Sequence, residues 1–207
     1  MADVKVLTHS SIRIAGDQVI YVDPFEVKEE IHDADMILIT HDHFDHFSAA
    51  DIRKVEKEGT VLVMPESMKG MEAQTDLEKV YFVKPWGGSL EMNGVKIDAV
   101  PAYNVLKPFH PKGKNFVGYL ILIGGVTYYV AGDTDCTRDS KKVKCDVALV
   151  PVGGKYTMDH KEAAKLVNEI RPKVAIPTHY GTVAGSPDDG RKFAQLTDDG
   201  IIVKIQL

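Results

Sequence analysis

The apolar run MILIT (Met36–Thr40) stops against HDHFDH (His41–His46), and any fold for this chain has to accommodate that junction. Three histidines and two aspartates within six positions are more proton-accepting, metal-seeking groups than a solvated turn or a packed core calls for. MILIT reads as a short buried strand, so the cluster begins where a strand ends. His41 and His43 are two residues apart. If strand geometry continues through them, they point to the same side and can approach one cation together. Asp45 and His46 follow Phe44, where the chain turns toward a helix capped by Ser48, and can aim at a second position close to the first. Imidazole nitrogen and carboxylate oxygen both suit Zn²⁺, with Mn²⁺ and Fe²⁺ accepting the same set. H-x-H alone would say little; H-x-H-x-D-H is a specific spacing.

The rest of the chain supplies a scaffold for that junction. Val4 and Val6, then Ile12 and Ile14, then Val19, Ile20 and Val22 alternate, with Gly16-Asp17 between the second and third segments. This predicts antiparallel strands joined by a hairpin. Asn93-Gly94 in SLEMNGVKIDAV has the sequence of a tight type I′ turn, and Gly124-Gly125 separates two apolar, β-branched runs. Three helices are announced by their caps. Ser48 precedes AADIRKVEKEG with Gly59 closing, Asp159 precedes HKEAAKLVNEI with Glu162 three residues on, and Ser186-Pro187 opens DDGRKFAQL with Pro at the first helical position. Short apolar strands (MILIT, TVLVM, DVALV, KVAIPT, IIVKIQ) lie between them. Hairpins followed by strands alternating with helices predict a sheet sandwich flanked by helices, of mixed α/β class.

At 207 residues, with no repeat or linker-like tract, the expectation is one domain over 1–207. Lys plus Arg number 25 against 30 Asp plus Glu, a net charge of 25 − 30 = −5. That balance argues against a protein that grips nucleic acid through its phosphates. No run approaches the ~18–20 apolar residues of a membrane span, and the N-terminus lacks the pattern of a signal peptide, so a cytoplasmic location is expected. Cys136 and Cys145 form no C-x-x-C pair and read as reduced thiols.

These motifs together resemble the metallo-β-lactamase superfamily, whose defining loop is H-x-H-x-D-H after a buried strand. More narrowly, the chain resembles small single-domain metal-dependent hydrolases related to the ascorbate-6-phosphate lactonases. The resemblance runs through HSS (His9–Ser11), Asp23-Pro24, His41–His46, AGDTD (Ala131–Asp135), PVGGKYTM (Pro151–Met158) and PTHYGT (Pro177–Thr182). It implies a four-layer αββα sandwich with two divalent cations, Zn²⁺ ahead of Mn²⁺ or Fe²⁺, at the sheet edges. It implies Asp133 as the bridging carboxylate, and His179 as the last ligand of a site completed by Asp45, His46 and Asp133. The other site holds His41 and His43. Relatives usually place its third histidine just past a strand where this chain reads VPAYNVLKPFH. Either His110 swings in on its loop, or Asn104 or water fills the gap. His9 is a candidate for a supporting or substrate contact. Asp23 is a candidate to accept the second N–H of a ligating imidazole. His32 and His160 read as solvated.

Metal-bound water ionises near pH 7 rather than near ~15.7. At ~1.36 kcal/mol per unit, that lowers by about 12 kcal/mol the free energy of making hydroxide. No separate Ser or Cys nucleophile is therefore expected. Asp45 is assigned to orient the hydroxide and shuttle its proton, and Asp133 to fix the metal separation. The expected activity is hydrolysis of a small ester, lactone or phosphodiester, with an anionic substrate one option. Lys107, Lys112, Lys155 and the Gly153-Gly154 backbone are its candidate contacts. The alternatives are a nuclease or phosphodiesterase acting on RNA or DNA, and an inactive metal-binding regulatory homologue. A diiron redox role is disfavoured because relatives of that kind carry Glu where His43 stands. The sequence leaves room for a homo-oligomer.

Overall fold

The computed structural model describes residues 2–207. Its first sheet takes six strands in chain order: β1 (Asp3–Thr8), β2 (Ser11–Ala15), β3 (Val19–Val22), β4 (Ala34–Leu38), β5 (Glu56–Pro65) and β6 (Lys79–Val83). β1 to β3 pair antiparallel, and β4 to β6 add in parallel. The second sheet repeats the plan. β7 (Ser89–Met92), β8 (Val95–Pro101), β9 (Val117–Ile123) and β10 (Val126–Val130) are antiparallel. β11 (Val147–Pro151), β12 (Val174–Thr178) and β13 (Ile202–Val203) follow in parallel. The two glycine-bearing hairpin turns behave as their sequences predict. Asn93 and Gly94 have φ of 50° and 77°, and Gly124 and Gly125 have 57° and 74°. A type I′ turn requires positive φ at both central positions.

Period-two burial builds the layers. Ile20 and Val22, Met36 and Leu38, Tyr128 and Val130 face a core between the sheets. Their neighbours Tyr21 and Ile37 face outward beneath Ile52 and Val55 of α1 (Ala49–Val55). On the other side Tyr129, Ala148 and Ala175 face Leu166, Val167 and Ile170 of α2 (His160–Ile170) and Phe193 of α3 (Asp189–Leu196). The result is the αββα sandwich. Strands covered on both faces read as continuous apolar runs such as VALVP and VAIPT.

Two helix boundaries differ from the sequence expectation. Ser48 caps α1 through the Asp51 N–H, but the helix ends at Val55. Glu56 is extended and pairs with Ala34, so the segment through Gly59 (φ +83°) belongs to β5. Strand pairing prevails there over helix propagation. Pro187 does not open α3 either. The Ser186 carbonyl accepts from the Asp189 N–H at 2.9 Å, and the Ser186 N–H donates to Asp189 Oδ2 at 2.7 Å. This turn delays the helix to Asp189. The α2 capping box at Asp159 forms as expected.

Three hydrogen bonds stitch the sheets at one end. Val117 donates to the Thr40 carbonyl (3.1 Å), Tyr119 Oη to the Ile39 carbonyl (2.6 Å), and His179 N–H to the His9 carbonyl (2.9 Å). Nearby, Asp139 ties the segment after β8 to that after β10. It accepts from Tyr103 Oη at 3.0 Å and pairs with Lys112 at 3.2 Å and Lys142 at 3.3 Å. Burial pushes its carboxyl up, but these donors outweigh burial and hold it down to about 2. An unfolded Asp titrates near ~3.9, so this stabilisation is complete above roughly pH 4 and drains as pH falls toward 2. Asp139→Asn is expected to lower unfolding free energy by about 1–2 kcal/mol at pH 7, discounted for the exposed lysines. In denaturant titrations the gap should narrow between pH 4 and pH 2.5; a gap constant with pH would refute the assignment.

Candidate metal centre

The C-terminal ends of β1, β3, β4, β8, β10 and β12 meet at the stitched end, and each delivers part of one buried cluster. β1 leads to His9, β3 to Asp23, and β4 to the loop carrying His41, His43, Asp45 and His46. β8 leads to the loop carrying Asn104 and His110, β10 to Asp133, and β12 to His179. The backbone bends sharply to do this. His9, Asp23 and His179 adopt left-handed φ of 46°, 48° and 58°, a region that His and Asp enter more readily than most residues. Strand geometry does not carry through His41 and His43, because β4 ends at Leu38 and the chain bends across 42–46. The two imidazoles converge by that bend rather than by pleat alternation.

Within the cluster, ring nitrogens and carboxylate oxygens crowd together. His43 Nδ1 lies 3.1 Å from both His41 Nε2 and His110 Nε2. Asp133 Oδ2 is 3.1 Å from His179 Nε2 and 3.3 Å from His110 Nε2, while its Oδ1 is 3.2 Å from His46 Nε2. Asp45 Oδ2 is 3.7 Å from both His46 Nε2 and His179 Nε2. Four-coordinate Zn²⁺ with ligands at ~2.0–2.1 Å sets ligand atoms roughly 3.3 Å apart, close to several of these separations.

The outward edges of three rings fix which atoms face inward. Thr40 Oγ1 donates to Asp23 Oδ2 (2.6 Å), so toward His41 Nδ1 (2.9 Å) it can only accept. Asp23 Oδ2 accepts from His46 Nδ1 at 2.7 Å, and Asn104 Oδ1 accepts from His110 Nδ1 at 3.0 Å. These bonds place a proton on Nδ1 of His41, His46 and His110, leaving all three Nε2 atoms aimed into the cluster, each a lone-pair donor when its ring is neutral. One proton on His43 Nδ1 could satisfy only one of its two neighbours. Buried His46 Nε2, Asp133 Oδ1 and both His179 nitrogens have no hydrogen-bond partner among the described residues. Buried polar atoms are rarely left so. A divalent cation is the partner that this donor set fits.

Electrostatics agree. Burial, joined by the charge on His46, drives His41 well below the usual imidazole range. Burial takes His110 down to about 4 against the pull of Asp133. Both are neutral, lone-pair-bearing rings near pH 7. Burial would also lower His46, but Asp133 and Asp23 together raise it well above the ordinary value. Burial would raise Asp133, yet His179 and His46 hold it well below. The centre draws in positive charge.

The histidine at 110 thus joins the cluster, and Asn104 does not stand in for it. Asn104 holds it by accepting from His110 Nδ1 and from its backbone N–H (3.0 Å), while donating to Asp135 and the Tyr156 carbonyl. His9 Nε2 lies 3.2 Å from Asp45 Oδ2, and its ring centroid is 3.8 Å from that of His179. The lysines do not reach the cluster. Lys107 pairs with Asp135 at 2.6 Å and Glu162 at 3.5 Å, Lys112 pairs with Asp139, and exposed Lys155 lies over the Tyr156 ring. Gly153 serves close packing, since a Cβ there would come within 2.1 Å of the His179 carbonyl oxygen. The Gly154 N–H donates to Met158. At the positions expected to contact an anion, Lys107 and Lys112 are engaged by carboxylates, Lys155 lies over a ring that lines the cavity, and the two glycines serve packing and a local turn. His32 is exposed and His160 lies outside the cluster beside Asp189. Sequence reasoning passed over Thr40, whose position directly before His41 was the available signal. It also passed over Phe44, Phe109, Tyr156 and Val183, which line the cavity in front of the cluster.

Residues 3–179 match a family model described as a beta-lactamase superfamily domain. A UPF0173 metal-dependent hydrolase of Thermococcus onnurineus is 32% identical over 219 residues, covering 99% of this chain and 97% of the relative. Among solved structures, a Parabacteroides distasonis protein is 32% identical with a TM-score of 0.81, covering 99% of this chain and 92% of the other. Igni18, a metallo hydrolase from Ignicoccus hospitalis, is 25% identical with a TM-score of 0.76, covering 98% and 93%.

Because Asp23 serves His46 directly and His41 through Thr40, Asp23→Ala should weaken metal binding about 10- to 100-fold. Competition against a chromophoric chelator measures this; an unchanged affinity would mean that the rings are oriented by packing alone.

Proposed function

Because the chain belongs to the metallo-β-lactamase superfamily, we propose that it is a metal-dependent hydrolase of a small ester, lactone or phosphodiester, working with two divalent cations. Zn²⁺ is put ahead of Mn²⁺ or Fe²⁺ because imidazole nitrogen dominates the donor set. One observation carries the reading: imidazole edges and carboxylates converge in a buried cluster while the outward edges of three rings are pinned by Thr40, Asp23 and Asn104. In this reading His41, His43 and His110 would hold one cation, Asp45, His46 and His179 the other, and Asp133 would serve both. Divalent cations bound here supply Lewis acidity and lower the pKa of a coordinated water.

The chain's own residues do the remaining work. Asp45 lines the cavity; it takes up the proton released by the attacking water and returns it to the leaving oxygen. His9, donating from Nε2 to Asp45 Oδ2, keeps that carboxylate in place. Neither cysteine competes as nucleophile, since both pack against the apolar layer under α2 and α3. Burial pushes the Cys145 thiol up to about 12 and raises Cys136 as well. No helix among the described residues is long and apolar enough to cross a membrane, which is compatible with the cytoplasmic location we assign. The cavity in front of the cluster measures about 270 Å³, a volume suited to a small molecule rather than a nucleic-acid strand.

Elemental analysis should find two equivalents of divalent metal, and dialysis against a chelator should abolish turnover on a panel of esters, lactones and phosphodiesters until metal is restored. Asp45→Asn is expected to lower kcat by about 10²–10⁴-fold, and His46→Ala and Asp133→Ala to lose bound metal. Turnover that survives chelation, or less than one equivalent of metal in the native protein, would end this reading.

A further inference from the structure

The cavity wall in front of the centre carries a second message. Apart from residues of the cluster itself, it consists of Phe44, Phe109, Tyr156 and Val183. Phe44 occupies the position between His43 and Asp45 and is 69% exposed, propped edge-on against Phe25 with ring centroids 6.0 Å apart. Phe109 immediately precedes His110 and packs edge-on against Tyr156 at 4.7 Å. Large apolar side chains gathered at one mouth mark a binding surface more often than chance.

Charge is missing where an anionic substrate would need it. Among the described residues, no Lys or Arg lines the cavity. Lys107 points away into its pairs with Asp135 and Glu162 and donates to the Thr157 carbonyl at 2.7 Å. Lys112 is held by Asp139, and Lys155 lies over Tyr156 outside the lining. A phosphate group entering here would exchange water for aromatic faces with no partner beyond the metals, a costly desolvation. An aliphatic chain would bury apolar surface against the same wall.

Resting on the hydrolase reading, we infer that the substrate is an uncharged ester or lactone whose acyl part is apolar and lies between Phe44, Phe109, Tyr156 and Val183. The bond broken is the acyl C–O bond; water supplies oxygen to the acyl carbon and a proton to the leaving oxygen. A sugar phosphate or phosphodiester does not match this wall.

The test uses binding, separate from turnover. Straight-chain alkyl hydroxamates from acetohydroxamate to octanohydroxamate chelate the metal at one end and present a growing chain at the other. Calorimetry on the zinc-loaded protein should show affinity rising about threefold per methylene over the middle of the series. That is a little under the roughly fourfold that ~0.8 kcal/mol per buried CH₂ gives. Phe44→Ser, at an exposed position, and Phe109→Ser should flatten the rise while acetohydroxamate binding is retained, and Lys155→Ala should leave the rise unchanged. With zinc content measured on the same samples, zinc bound and a flat series overturns this inference alone. Tighter binding of a phosphate-bearing hydroxamate than of its neutral match, lost in Lys155→Ala, also overturns it, in favour of an anionic substrate. A protein that takes up no zinc overturns the hydrolase reading and this inference with it.

Discussion

Imidazole nitrogens and carboxylates packed at ~3 Å separations in a buried cluster cannot all satisfy one another, and the upper end of this molecule is organised around that constraint. Asp133 is almost fully buried and faces His46, His110 and His179, with Oδ1 lacking any hydrogen-bond partner among the described residues. Leaving such groups unpaired would destabilise the protein by several kcal/mol, a large fraction of the ~5–15 kcal/mol of a typical domain. A bound cation would offset that penalty, which would couple metal binding to stability. The strand ends, the cross-sheet hydrogen bonds and the left-handed turns at His9, Asp23 and His179 all hold the donors together.

The support for the donors is unequal. A hydroxyl on His41, a carboxylate on His46 and an amide on His110 leave the three rings with different electron donation toward the centre. Asp23 reaches two of them, because Thr40 accepts from His41 while donating to Asp23. It also accepts the Thr40 N–H at 2.8 Å. One buried carboxylate thus sets the backbone at the end of β4 and the ring planes on either side of it. His179 lacks such an anchor and is held instead by the His9 ring tilted against it and by the close approach of Gly153 to its carbonyl.

Much of this was legible in the chain. Two-residue alternation, Asn93-Gly94, Gly124-Gly125 and the Asp159 box are local signals, and the local structure follows them. The H-x-H-x-D-H stretch announced its chemistry because its members are neighbours in sequence. Helix ends were less legible where tertiary pairing decided them: Glu56 joins a strand because Ala34 lies beside it, which no local pattern encodes. Asn104 was ambiguous for a similar reason. As sequence it is a polar residue near a strand end; its function emerges only when His110, Asp135 and Tyr156 gather around it from positions distant in the chain. Charge in a sequence does not reveal its partner: Asp135 and Asp139 pair with Lys107 and Lys112 in space.

The loop after β8 performs two tasks with adjacent residues. His110 turns into the centre and Phe109 into the cavity wall, so one backbone segment sets both metal geometry and substrate fit. That segment is not held by the sheet. Its order comes from Asn104, from the Val105 N–H donating to Asp135 at 2.9 Å, and from the Lys107–Asp135 pair, with Asp139 tying Tyr103 and Lys112 below. Asp135 and Asp139 lie just past Asp133, on the strand end that carries the central carboxylate. A cation held by His110 and Asp133 would therefore act on the segment that seats Phe109 against Tyr156. Metal occupancy and the shape of the apolar wall are then two readings of one loop position, linked through carboxylates two and six residues beyond Asp133.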